Sequence, residues 1–317
     1  MIKIAISGIG GVGGFYGGLL SLLAEKEPNE LQVSFFSRGE NMKKIQQDGL
    51  SIKTQSLGEF TTRPSITTDR AEEIGIVDYL ICATKSYTLE QNIEQLKPCI
   101  GEQTMIIPLL NGADITDRIK SVAPQATVCY GCCYVIGRIV EPGHILEATN
   151  PREIVQFGTP AGKEEEQQRM LSIFHRAQIN AFNPKNIVET IWRKYAFISI
   201  AAMCTSYYNS NYGDVRENHA DVYAGMVDEL IAGANAEGYT FPESMKDDTI
   251  ATIHRYPKEA TTSMHVDFMN HRPVELESLG GYTLRLGQKH KLDMPLHQMV
   301  ISELRSRINA YSTYIKQ

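Results

Sequence analysis

Over the first 110 residues, short apolar runs alternate with amphipathic stretches. Residues 2–7, 31–37, 79–84 and 105–110 read as strands, and residues 15–25 and 88–97 read as helices between them. Strand and helix taken in turn build parallel β-α units, so a doubly wound sheet is expected. From residue 142 to about 184 the pattern changes to short strand-like pieces, such as 153–158, around one charged helix at 163–177. Beyond Asn183-Pro184 the strand signal fades, and residues 187–208, 222–237, 273–287 and 295–315 carry helical periodicity. The pattern predicts two domains: an α/β domain over residues 1–184 and a mainly α-helical C-terminal domain over 185–317.

The first strand runs directly into Gly8-Ile9-Gly10-Gly11-Val12-Gly13, a G-x-G-x-x-G sequence placed before a helix. In that setting Gly8 permits a tight turn, Gly10 lets the backbone approach a pyrophosphate, and Gly13 allows close packing of helix on strand. The helix N-terminus then offers free N–H groups to the anion. The first domain is therefore expected to be a Rossmann-type dinucleotide-binding domain, with the whole segment from Gly8 to Gly13 against the cofactor. The second strand ends at Ser37-Arg38, with no acid before Glu40. An arginine there suits a ribose 2′-phosphate through paired, charge-assisted hydrogen bonds, so NADP(H) is expected rather than NAD. An ordinary solvated loop position is the plain structural alternative for Arg38.

Composition narrows the field. At 317 residues the chain is long for one core, and 42% hydrophobic with 21% charged residues predicts packed domains. A net charge of -6 with scattered basic residues argues against nucleic acid as a partner. The opening apolar run is too short for a secretory signal, and the run from Tyr195 to Cys204 is about half of the ~20 residues a membrane span needs. A cytoplasmic protein without a membrane partner is the expectation. Cys129, Cys132 and Cys133 have C-x-x-C spacing, but they lie in an apolar stretch with no second ligand pair, so core packing is expected and no metal site.

Four polar residues stand where chemistry can be done. Lys194 is spaced seven from Ile187, three from Ile191 and four from Ile198, which puts it on or beside an apolar helical stripe. Burial there disfavours its charged form and makes it a readier proton donor to a carbonyl oxygen. A lysine that snorkels to water fits the same spacing. Glu275 follows Pro273, which suits a first helical position, so its carboxylate is expected in a first helical turn. Asn111 and Lys85 each follow the carboxyl end of a strand, where open α/β sheets place ligands. An Asn-Gly turn and a solvated lysine are their plain structural alternatives.

Gly8 to Gly13, Arg38, Ala83-Thr84-Lys85, Asn111-Gly112, Trp192-Arg193-Lys194, Ser263 and Glu275, in that order, resemble the ketopantoate reductase (2-dehydropantoate 2-reductase) family over essentially the whole chain. The resemblance implies NADPH-dependent reduction of 2-dehydropantoate to pantoate, a step toward pantothenate and coenzyme A. It implies Lys194 as general acid, Glu275 orienting substrate and cofactor, Asn111 beside nicotinamide and substrate, Lys85 at the cofactor, and Ser263 on the substrate carboxylate. Relatives usually carry asparagines four and eight residues beyond the lysine, where this chain has Ile198 and Ala202. Thr205, Ser206 and Asn209 are the nearby polar candidates to replace them. That departure keeps open a different 2-keto acid or carbonyl substrate. A non-catalytic NADP(H)-sensing protein is the third reading, and retention of both Lys194 and Glu275 speaks against it. The helical domain offers a face for a homodimer.

Overall fold

Strand β1 (Ile2–Ser7) is apolar on both sides because it is covered on both sides: Ile4 and Ile6 join one core cluster, and Ala5 joins another. The computed structural model describes residues 1–149 and 153–315, and these divide into two compact units, one drawn from residues 1–110 and 115–188, the other from residues 111–114 and from 189 onward.

In the first unit β1 is followed by α1 (Gly11–Lys26), β2 (Leu31–Phe36), α2 (Gly39–Asp48), β3 (Leu50–Thr54), β4 (Gly58–Thr62), β5 (Ile66–Thr68) and α3 (Ala71–Ile74). Then come β6 (Tyr79–Cys82), α4 (Leu89–Gln95), β7 (Met105–Pro108), α5 (Ile115–Val122), β8 (Thr127–Val128) and β9 (Tyr130–Tyr134). The unit closes with β10 (Gly137–Glu141), β11 (His144–Glu147), β12 (Ile154–Gly158), α6 (Glu164–Arg176) and β13 (Ala181–Phe182).

The main sheet has the order β5-β2-β1-β6-β7-β8, and every pairing in it is parallel. Counted along the chain this is the 3-2-1-4-5-6 order of a Rossmann fold, with its reversal between β1 and β6. Two smaller sheets, β10-β11-β3-β4 and β13-β12-β9, complete the unit. The apolar stretch around the cysteines is thus shared between two sheets. All six cysteines are buried thiols outside any disulfide, and burial pushes the Cys82 thiol up to about 11, so it packs as a small protonated hydrophobe.

Several element ends differ from the sequence reading. Helix α1 starts at Gly11 instead of residue 15, because the glycine sequence itself forms the first turn. Strands β6 and β7 stop two residues short of the expected ends, where the chain turns into the segments that carry Lys85 and Asn111.

The second unit holds most of α7 (Ile187–Tyr208), then α8 (Tyr212–Asn218), α9 (Ala220–Ala236), α10 (Met245–His254), α11 (Ser263–Met269), α12 (Tyr282–His290) and α13 (Pro295–Ile315). Helix α7 is buried on nearly every side, as expected of a central helix. Trp192, 1% exposed, packs against Tyr195, Tyr239, Phe241 and Tyr282. Among the described residues, no helix is long and apolar enough to cross a membrane.

Candidate active site

At the reversal point of the sheet, the chain leaves β1 through Gly8, whose φ is +85°. A Cβ there would lie 2.6 Å from the Thr84 nitrogen and 2.7 Å from the Ala83 carbonyl carbon, so glycine is required by both conformation and space. A Cβ on Gly13 would lie 2.2 Å from the Gly8 carbonyl, which places the helix hard against the turn. By contrast, a Cβ on Gly10 would meet nothing within 4 Å. The Gly10 N–H donates to the Gly8 carbonyl at 2.8 Å and the Gly14 N–H to the Gly10 carbonyl at 2.8 Å. The first-turn N–H groups of Gly11, Val12 and Gly13 lie outside the intrahelical ladder and are the donors left for an anion. The loop is a cradle suited to a diphosphate.

Arg38 is exposed directly after β2 and caps α2 in an extended conformation. Three residues on, Asn41 donates to the Ile9 carbonyl at 3.0 Å and accepts from the Gly143 N–H at 2.8 Å. Asn41 was not foreseen from the sequence, since its partners are backbone atoms far along the chain. Lys85 is half-buried and begins a single 3-10 turn, its carbonyl accepting from the Thr88 N–H at 3.0 Å.

In the second unit, Lys194 is 9% exposed and its Nζ donates to Asn111 Oδ1 at 2.8 Å. The three residues of the Trp-Arg-Lys sequence turn to different surroundings. Trp192 enters the aromatic cluster, and Arg193 pairs with Glu189 and Asp248 at 2.8 Å each. Lys194 alone of the three is a buried cation. The segment bearing Asn111 is fixed again at Asp114, which accepts from Arg285 of α12 at 3.2 Å.

Glu275 is 8% exposed but does not sit in a first helical turn. The Leu279 N–H donates to the Glu275 carbonyl at 3.0 Å, so Glu275 caps the helix that opens at Leu276, and Pro273 lies outside it. The first turns, Glu277–Gly281, are π-helical. Tyr195, whose hydroxyl burial pushes far up and keeps protonated, donates to the Leu279 carbonyl at 2.5 Å and so satisfies a group the widened ladder leaves over.

Ser263 is the exposed first residue of α11, following the N-cap Thr262. Thr205 is spoken for: its hydroxyl donates to the Ala201 carbonyl at 2.8 Å and pairs with Thr262 at 3.0 Å. Asn209, at φ +51°, ends α7, and its Oδ1 accepts from His265 Nε2 at 3.0 Å while His265 Nδ1 pairs with Thr261 at 2.7 Å. Ser206 is fully buried, and among the described residues its hydroxyl has no partner. Ile198 is half-buried and Ala202 is 1% exposed. Thr205 and Asn209 are thus engaged by α11 and the residues before it at the far end of α7, and the positions four and eight residues beyond Lys194 are apolar.

The sheet order, the glycine cradle at its reversal point and the helical second unit define an oxidoreductase of the Rossmann type. The family described as Ketopantoate reductase PanE/ApbA matches residues 4–162, and its C-terminal part matches residues 186–307. The chain belongs to the ketopantoate reductase family. It is 26% identical over 306 residues to an uncharacterized oxidoreductase of Bacillus subtilis, covering 96% of this chain and 98% of that protein. The solved 2-dehydropantoate 2-reductase of Porphyromonas gingivalis is similar at 30% identity and a TM-score of 0.83, over 96% of this chain and 99% of that one. A D-mandelate dehydrogenase solved with NADH and anilino(oxo)acetate has the same fold, at 21% identity and a TM-score of 0.83 over 98% of this chain and 99% of that one.

Proposed function

We propose that the chain reduces a 2-keto acid with NADPH, with 2-dehydropantoate to pantoate as the leading reaction. The observation that carries this reading is the buried Lys194 ammonium hydrogen-bonded to Asn111 at 2.8 Å. Asn111 accepts one of the three ammonium protons and orients Nζ, and the ammonium gives a proton to the substrate's carbonyl oxygen. When bound, NADPH supplies the hydride for the carbonyl carbon, and the product is the 2-hydroxy acid. The glycine cradle takes the diphosphate, Arg38 the 2′-phosphate, and Lys85 stands at the adjoining strand end. Glu275 orients substrate and cofactor, and Ser263 donates to the substrate carboxylate. These roles also follow the family resemblance.

A second reading is specifically favoured by Ile198 and Ala202, one and two turns beyond Lys194 on α7. Apolar side chains there suit a keto acid lacking the hydroxyl of ketopantoate, because specificity for a polar group needs a polar partner. The D-mandelate dehydrogenase indicates that this fold serves other 2-hydroxy acids. Steady-state rates of NADPH consumption over a panel of 2-keto acids test both. The highest kcat/KM for ketopantoate supports the first, and the highest for an unhydroxylated branched or aromatic acid replaces it with the second.

A further inference from the structure

We infer that Asn41 is a positioning residue for the dinucleotide, its carboxamide locking the glycine loop so that the loop's free N–H groups face the cofactor diphosphate. The inference rests on the cofactor reading proposed above and goes beyond it by assigning a residue that does not touch the cofactor.

The argument turns on a single peptide group, the one joining Ile9 to Gly10. In a trans peptide the carbonyl and the N–H point in opposite directions, so pinning both fixes the plane. Here the Gly10 N–H is held by the Gly8 carbonyl at 2.8 Å, and the Ile9 carbonyl is held by Asn41 Nδ2 at 3.0 Å. With that plane fixed, the Ile9 oxygen faces α2 and is kept from turning its negative end toward an incoming phosphate. The next N–H groups, Gly11 to Gly13, remain on the cradle side.

Asn41 is itself held. Its Oδ1 accepts from the Gly143 N–H at 2.8 Å, and the Gly143 carbonyl accepts from the Ser51 N–H at 2.9 Å, which ties the β10–β11 turn to β3. The same hairpin meets the loop a second time at the other end of β10. A Cβ on Gly11 would lie 1.9 Å from the Gly137 carbonyl oxygen, and one on Gly137 would lie 2.6 Å from the Gly11 oxygen. The hairpin is thus a brace touching the glycine loop directly at Gly137 and through Asn41 at Gly143. Only a side chain with a donor and an acceptor on one short rigid group makes both bonds, which distinguishes asparagine from aspartate at this position. Asn41 also lies one turn from Arg38, so the helix presenting the 2′-phosphate arginine is the helix that holds the loop.

The test uses Asn41→Ala and Asn41→Asp in the full-length protein, with NADPH and NADH dissociation constants from fluorescence titration alongside kcat, KM and melting temperature. Losing one loop hydrogen bond is expected to weaken both dinucleotides by the same factor, about threefold to tenfold in Asn41→Ala, with kcat at saturating cofactor changed by less than about twofold. Asn41→Asp keeps the volume and the acceptor for Gly143 and suits a first helical turn, so it folds. It nevertheless places a carboxylate against the Ile9 oxygen and near the diphosphate, and is expected to weaken binding by about a further tenfold. Unchanged dissociation constants in both variants, even with a lowered melting temperature, would overturn the inference. A loss confined to NADPH would also overturn it, since the residue would then act through Arg38. If the unsubstituted protein binds neither dinucleotide, it is the cofactor reading that fails.

Discussion

Lys194 Nζ donates to Asn111 Oδ1 at 2.8 Å across 83 positions of the chain. A buried ammonium needs its protons accepted, and the neutral Asn111 amide accepts one of them. The pair therefore holds the cation in place.

Replacing Lys194 with alanine is expected to lower kcat by about 10² to 10⁴ while NADPH affinity changes little, the usual contribution of a general acid. Rapid-mixing turnover and an independent cofactor titration on the same preparation check it. Retained turnover would eliminate Lys194 as the proton donor.

Arg38→Ala is expected to remove about one to two orders of magnitude of NADPH preference, from the loss of charge-assisted hydrogen bonds to the 2′-phosphate. NADH affinity should stay where it was. Equal weakening of both nucleotides would mean that Arg38 does not read the 2′-phosphate.

Ile198→Asn restores an amide one turn beyond Lys194. The ratio of kcat/KM for ketopantoate over 2-ketoisovalerate, which lacks the hydroxyl, is expected to rise about tenfold as the new group finds a partner in the hydroxylated acid. A ratio that does not move would place the substrate's far end elsewhere.

Glu229 provides a pH-dependent contribution to stability. Burial raises its carboxyl, but hydrogen bonds from the His297 ring and from the His297 and Leu296 N–H groups outweigh burial and hold it below the ordinary glutamate range. The depressed folded value means that the stabilisation is complete above the unfolded value of about 4.3 and is lost as pH falls through the folded one. Glu229→Gln is expected to cost about 2 kcal/mol at pH 7, from a weakened set of bonds to a charged acceptor. The difference in melting temperature between variant and parent should shrink once the pH drops below the glutamate range. A gap independent of pH would show that the charge contributes nothing.

The regular elements were legible where pattern and burial agree. β1 ends just before Gly8, α7 lies between Asn186 and Asn209, and α13 opens at Pro295, so these boundaries coincide with those the pattern places. The four-stranded sheet was missed since β4 and β10 are largely exposed and offer little apolar alternation. Glu275 was placed a turn too far into its helix, because proline marks a helix start only by its own φ. The helix instead opens at Leu276, with the Glu275 carbonyl accepting from the Leu279 N–H. The spacing of Lys194 put it on or beside an apolar stripe and left burial and snorkelling both open, and no local signal could foretell Asn41 or the His265–Asn209 contact, which join positions brought together only by the tertiary fold.

Residues 111–114 pack with the helical unit although they are threaded between β7 and α5 of the other. Exchange of the helical half between relatives by cutting once, near residue 188, would leave Asn111 and Asp114 facing a foreign lysine and a foreign arginine. A working chimera must carry that four-residue insert along with its own Lys194 and Arg285, so the two halves of the gene are bound to vary together at a point far from their junction.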